Sequence, residues 1–122
     1  MRELIKMKHL TLILFLLLAP TVKAQEVTLE NIASFEGKTI TLCETITGTF
    51  QTKTESKVTY LNFGKSFPNH AFTVVIFKKD LDNFSYDPMT LKDKKICVTG
   101  KVGIYKGKPQ IIINKEAAIV VQ

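Results

Sequence analysis

Residues 39–50 constrain the fold of this sequence more than any other stretch. They are rich in Thr and Ile, residues that suit a pleated, half-buried surface, and they alternate, with Ile40 and Leu42 facing one way and Thr41 and Cys43 the other. Gly48 interrupts the run near its end. A glycine inside a long strand predicts a bulge or a sharp bend, a device by which one strand serves two sides of a small barrel.

The remaining segments fit such a barrel. Val58–Phe63 and Phe72–Phe77 read as the second and third strands, with residues 53–57 a polar connection and residues 64–71 a loop. Residues 80–95 break the strand pattern. Leu81, Phe84 and Leu91 are spaced as for short helical pieces, and Asp87 followed by Pro88 makes an N-cap and first-turn pair. Lys95–Tyr105 is the fourth strand, residues 106–109 a turn around Gly107, residues 110–114 the fifth strand, and residues 117–121 a closing extended segment. Residues 28–34 form a short lead-in turn or helix with Thr28 as cap and Leu29 and Ile32 on one face, and Gly37 ends it. Three strands, a short helical link and then a hairpin is the order of an all-β, five-stranded Greek-key barrel, the OB-fold, with its helical link between strands three and four. The alternation places Ile40, Leu42, Leu61, Phe63, Phe72, Val74, Ile76, Ile96, Val98, Val102, Ile111 and Ile113 inside.

Residues 1–24 carry the three parts of a secretory signal: Arg2, Lys6 and Lys8, then an apolar run over residues 10–19, then the small residues Val22 and Ala24 at the cleavage position. The run is too short to cross a bilayer, and no cysteine follows Ala24 to accept a lipid. The expected mature chain, residues 25–122, is therefore one exported domain, periplasmic or secreted, with no membrane anchor after signal removal. Removing the leader takes four of the 17 basic and one of the 11 acidic residues and leaves a net charge of +3, carried by lysines alone. That balance permits contact with polyanions without requiring it. Cys43 and Cys97 enter a compartment where disulfides persist. They fall in strands one and four on the phase opposite to the core, which fits a cross-strand bridge; two free thiols are the other reading.

Two blocks carry a resemblance. Leu61-Asn62-Phe63-Gly64-Lys65, followed by Phe67-Pro68-Asn69 and Phe72-Thr73-Val74-Val75-Ile76-Phe77, is the first; Cys97-Val98-Thr99-Gly100-Lys101-Val102 with Tyr105-Lys106-Gly107-Lys108-Pro109-Gln110-Ile111 is the second. Together they resemble the exported bacterial OB-fold domains of the anticodon-binding type, nucleic-acid-binding modules met alone or attached to nucleases. The similarity runs over residues 37–114 and implies single-stranded or otherwise accessible nucleic acid as the partner, with no nuclease domain in this chain.

OB barrels bind across the face of strands two and three and the loops beside it. Tyr60, Asn62, Val75 and Phe77 are expected on that face, with Lys53, Lys57, Lys106 and Lys108 at its two rims and Lys65 as a lesser phosphate contact. Each has a plainer reading: Phe77 beneath the helical link, the lysines solvating loop tips, and residues 64–70 serving only as a turn. Catalysis is not expected. The mature chain holds one histidine, His70, with no ligand-spaced partner, and its carboxylates are scattered among lysines, so neither a metal site nor an acid–base pair nor a cofactor is predicted. The competing class is an envelope or stress protein of the same fold that binds a small solute, an ion or a protein. The absence of arginine after residue 24 favours it, because Arg is the better phosphate ligand. A third reading is an accessory subunit of a separately encoded nuclease or transporter.

Overall fold

A computed structural model describes residues 25–122; the predicted signal peptide lies outside the described residues. Six strands follow in order: β1 (Thr39–Gln51), β2 (Val58–Phe63), β3 (Phe72–Phe77), β4 (Lys95–Tyr105), β5 (Lys108–Ile112) and β6 (Ile119–Val121). A one-turn helix α1 (Lys78–Leu81) and a 3-10 turn (Pro88–Leu91) link β3 to β4. Five strands close a ring, β1-β2-β3-β5-β4 and back to β1, while β6 adds to the outer side of β4. All neighbours in the ring are antiparallel except β3 and β5.

The ring closes because β1 changes partner along its length. Residues 39–45 pair with β4, and residues 46–51 pair with β2. The register slips between Ile46 and Gly48, so that one extra residue is accommodated where the bend was expected. The hinge is tied to the end of the helical link, where Ile46 N–H donates to the Lys94 carbonyl at 3.0 Å and Asp93 N–H to the Ile46 carbonyl at 2.8 Å.

β4 makes the matching turn on the other side. Its first residues lie between β1 and β6, and from Val102 onward it pairs with β5. Gly100 sits at this corner, where a Cβ would come within 2.4 Å of Ile111 Cγ2. The hairpin that follows turns on Lys106 (φ 49°) and Gly107 (φ 80°), the two successive left-handed residues of a tight type I′ connection.

Every residue assigned to the interior is buried except Ile40, which packs half-buried against the same core. Ile32, Ile46, Phe84, Leu91, Ala118 and Ile119 join them. Short capped turns set several of these in place. Thr28 and Asn31 bond reciprocally, backbone to side chain, ahead of Ile32. Asp87 Oδ1 accepts from Met89 N–H at 3.0 Å, with Pro88 at the first position of the turn that delivers Leu91. Glu116 accepts from both the backbone N–H and the hydroxyl of Ser85, clasping the link to the segment before β6 and holding its own carboxyl below the usual range.

Cys43 and Cys97 are bridged. They are directly opposed across the β1–β4 seam, and Cys43 is exposed, so the bond lies outside the core as expected. It closes a loop of sequence separation 54 that contains β2, β3 and the link. In the chain-entropy account a loop of that length is worth about 4 kcal/mol. Two outcomes are expected in urea unfolding at pH 7. The double variant Cys43→Ala/Cys97→Ala should lose about 2–5 kcal/mol, and Gly100→Ala should lose about 1–3 kcal/mol by overpacking Ile111; an unchanged midpoint in Gly100→Ala would mean that the corner is not tight.

Candidate ligand-binding face

The register between strands decides which side chains share the outer surface of the ring. Phe50 on β1 lies opposite Tyr60 on β2, Tyr60 opposite Val75 on β3, Val58 opposite Phe77, and Val75 beside Ile112 on β5. Directly paired residues stand on the same face of a sheet. This face therefore gathers Phe50, Val58, Tyr60, Val75, Phe77 and Ile112 on four adjacent strands. Phe50 and Tyr60 stack, with ring centroids 6.3 Å apart and planes at 24°. Phe50 is 57% exposed, Ile112 50% and Phe77 38%, so a band of rings and one aliphatic side chain faces outward.

Of the two directions open to Phe77 the outward one is observed. Tyr60 is half-buried, its ring covered on one side by Phe50. Asn62 and Val75 differ from expectation. Both point to this side, but each is only 4% exposed. Asn62 stands at the closed end of β2, opposite Thr73 and the bulge of β1, where Thr47 Oγ1 donates to its carbonyl at 3.1 Å. Val75 sits in the middle strand and forms the floor between Tyr60 and Ile112. Neither presents a free edge to a ligand.

The lysines fall at the two ends of the face. Lys53 and Lys57 are exposed in the β1–β2 connection, next to the Val58–Phe77 pair. Lys78 and Lys79 follow Phe77 directly, are also exposed, and enlarge the same rim. At the opposite end Lys106 is exposed, its Nζ 5.4 Å from the Tyr105 ring, and Lys65 is exposed in the β2–β3 loop. Lys108 is a correction. Its ammonium donates to the carbonyls of Pro68 and His70, so this cation holds the loop instead of standing free at the rim.

Phe50, Ile112, Lys78 and Lys79 were missed from sequence. Ile112 is legible from alternation, since it lies between the buried Ile111 and Ile113. Phe50 is not, because without the extra residue its phase is that of the buried Leu42 and Ile46; the bulge reverses it.

Among the described residues no three His, Cys, Asp or Glu side chains group as metal ligands would. His70, the one histidine among the described residues, lies in the β2–β3 loop with its Nδ1 buried and unpartnered. Burial first, and the Lys108 ammonium second, lower its pKa. Compared with known proteins, the chain matches no protein-family model, and no curated protein sequence is similar to it.

A histidine whose folded pKa lies below its unfolded value stabilises the fold fully above about pH 6.5, and that contribution is lost as the pH falls through the folded value. The His70 imidazole should accordingly titrate below 6.5 by NMR. Urea midpoints measured at pH 7 and pH 5 should separate more for the natural protein than for His70→Gln, and equal separations would remove the assignment.

Proposed function

We propose that the mature chain is a non-catalytic OB-fold module that holds single-stranded nucleic acid across the outer face of β2 and β3. The order of strands in the closed ring, with a short helical link between β3 and β4, supports the OB-fold reading. The observation that carries the function is the stacked pair of exposed Phe50 and half-buried Tyr60, continued by Phe77 and Ile112 and bounded at both ends by exposed lysines. Rings stack bases of any identity, and lysine ammoniums neutralise the phosphates that run past them. The arrangement favours binding without strong sequence preference. Arg would add bidentate phosphate contacts, and the described residues supply only Lys, so affinity rests on stacking and on unspecific charge.

Export supports the same reading, since the Cys43–Cys97 bridge suits an oxidising compartment. Extracellular or periplasmic strands are the corresponding partners, taken alone or beside a separately encoded nuclease. A protein-binding role draws on one feature of the face, the aliphatic side chain of Ile112 standing half exposed on β5.

Fluorescence anisotropy with a labelled thymidine oligonucleotide separates these readings. Nucleic-acid binding predicts affinity that falls as salt rises. It also predicts a loss of about 1–3 kcal/mol in each of Phe50→Ala and Tyr60→Ala. Lys53→Gln/Lys57→Gln should flatten the salt dependence; an absence of binding at low salt rejects the proposal.

A further inference from the structure

One edge of β1 is left unpaired along its first half. Residues 39–45 pair with β4, and β2 joins β1 only from Ile46 onward, so among the described residues no strand lies along the other edge of residues 39–45. The disulfide stands beside that edge. Cys43 is exposed, whereas Cys97 is half-buried between β1 and β6, with Val120 registered directly opposite it.

The backbone frames the bridge in a particular way. The Lys94 carbonyl accepts from Ile46 N–H on the β1 side at 3.0 Å, and the Lys95 carbonyl accepts from Gln122 N–H on the β6 side at 2.9 Å. Backbone groups alternate in direction along a strand, so Cys97 turns its N–H and C=O toward β6, and Cys43 turns its own toward the unpaired edge. The cysteines form a non-hydrogen-bonded pair with Cα atoms 4.0 Å apart. Opening the S–S bond therefore breaks no backbone hydrogen bond between them. Thr41, Thr45 and Thr99 share this side of the sheet, together with Lys95 and Lys101, both exposed. No side-chain carboxylate is registered there; Glu44, next to Cys43 in sequence, lies opposite the buried Ile96 on the other side.

We propose that Cys43 Sγ is a site of thiol–disulfide exchange, where an anionic low-molecular-weight thiol becomes attached to the protein. A thiolate attacks a disulfide in line with the S–S bond, and access decides which sulfur it reaches. The line into Cys43 Sγ crosses the unpaired edge of β1, and the line into Cys97 Sγ crosses Val120. The donor's thiolate forms a new S–S bond to Cys43. The Cys43–Cys97 bond breaks, and its electron pair leaves on Cys97 Sγ as a thiolate, with Lys95 two residues, or about 7 Å, along the same side of the strand. A second thiolate then displaces Cys43, so that two donor thiols are oxidised to one disulfide and the protein is reduced by two electrons. Positive charge beside the bridge attracts the incoming thiolate and favours the outgoing one. The site lies across the barrel from the Phe50–Tyr60 face and does not rest on what that face binds.

The test is exposure of the folded mature protein to reduced glutathione at neutral pH without denaturant, followed by a pulse of excess maleimide and peptide mapping by mass. Exchange at Cys43 leaves glutathione on Cys43 and maleimide on Cys97. Its rate stays level as urea is raised within the folded baseline, because the attack needs no unfolding. Lys95→Gln/Lys101→Gln slows glutathione about threefold and leaves unchanged the rate with cysteamine, whose ammonium cancels the thiolate charge. A bridge that resists glutathione until the protein unfolds overturns the proposal. So do equal labelling of the two cysteines, a rate that climbs with urea below the transition, and a lysine variant that slows both thiols alike.

Discussion

β1 must hydrogen-bond to β4 and to β2, and it can do both only by bending where its register slips between Ile46 and Gly48. Side chains alternate with period two along a strand, so one extra residue changes which side every later residue faces. Before the bulge, Leu42 and Ile46 enter the core; after it, Phe50, at the same even spacing, stands outside against Tyr60. The bend that closes the barrel thus also builds the aromatic surface. Gly100 answers it across the barrel, letting β4 pass close over Ile111 as it changes partner from β1 to β5.

With the interior filled by aliphatic side chains and by Phe63, Phe72 and Phe84, the side chains that can meet another molecule are those left outside. The outer face is apolar along its middle and cationic at its ends, an arrangement set by strand and loop position: rings come from paired strands, lysines from the connections between them. Loops are where charge is tolerated without desolvation, and sheets are where flat side chains are held in fixed orientation. The opposite side of the barrel is different in kind. There β1, β4 and β6 meet, the Thr41 and Thr99 hydroxyls bond at 2.8 Å, and the disulfide crosses the seam beside them.

Much of the interior was legible because its period is simple. Leu61 and Phe63, Phe72, Val74 and Ile76, and Ile96 and Val98 follow strict alternation and are buried accordingly. The Asp87-Pro88 start and the Gly107 turn were legible for local reasons, as each residue type suits one backbone geometry. Cys43 and Cys97 were placed outside the core by phase, and their pairing then depended on strand neighbours that the order of elements supplied. The outer face was read less well. Alternation says that Asn62 and Val75 point away from the core, but not that Thr73, Thr47 and the flanking strands enclose them. It says nothing of Lys108, whose partners are backbone carbonyls 38 and 40 residues away. Contacts of that range depend on closure of the ring, and no local pattern encodes them.

The Lys108 clasp has a consequence for the thermodynamics of recognition. A surface loop normally loses conformational freedom when it meets a partner, and that loss subtracts from affinity. Here the loop of residues 64–71 is fastened to the β4–β5 hairpin by an ammonium shared between two carbonyls. Its ordering belongs to folding and not to association. Phe67 and His70 stand stacked on a loop that is already ordered, and a force applied to the loop passes to the hairpin that carries Tyr105 and Lys106.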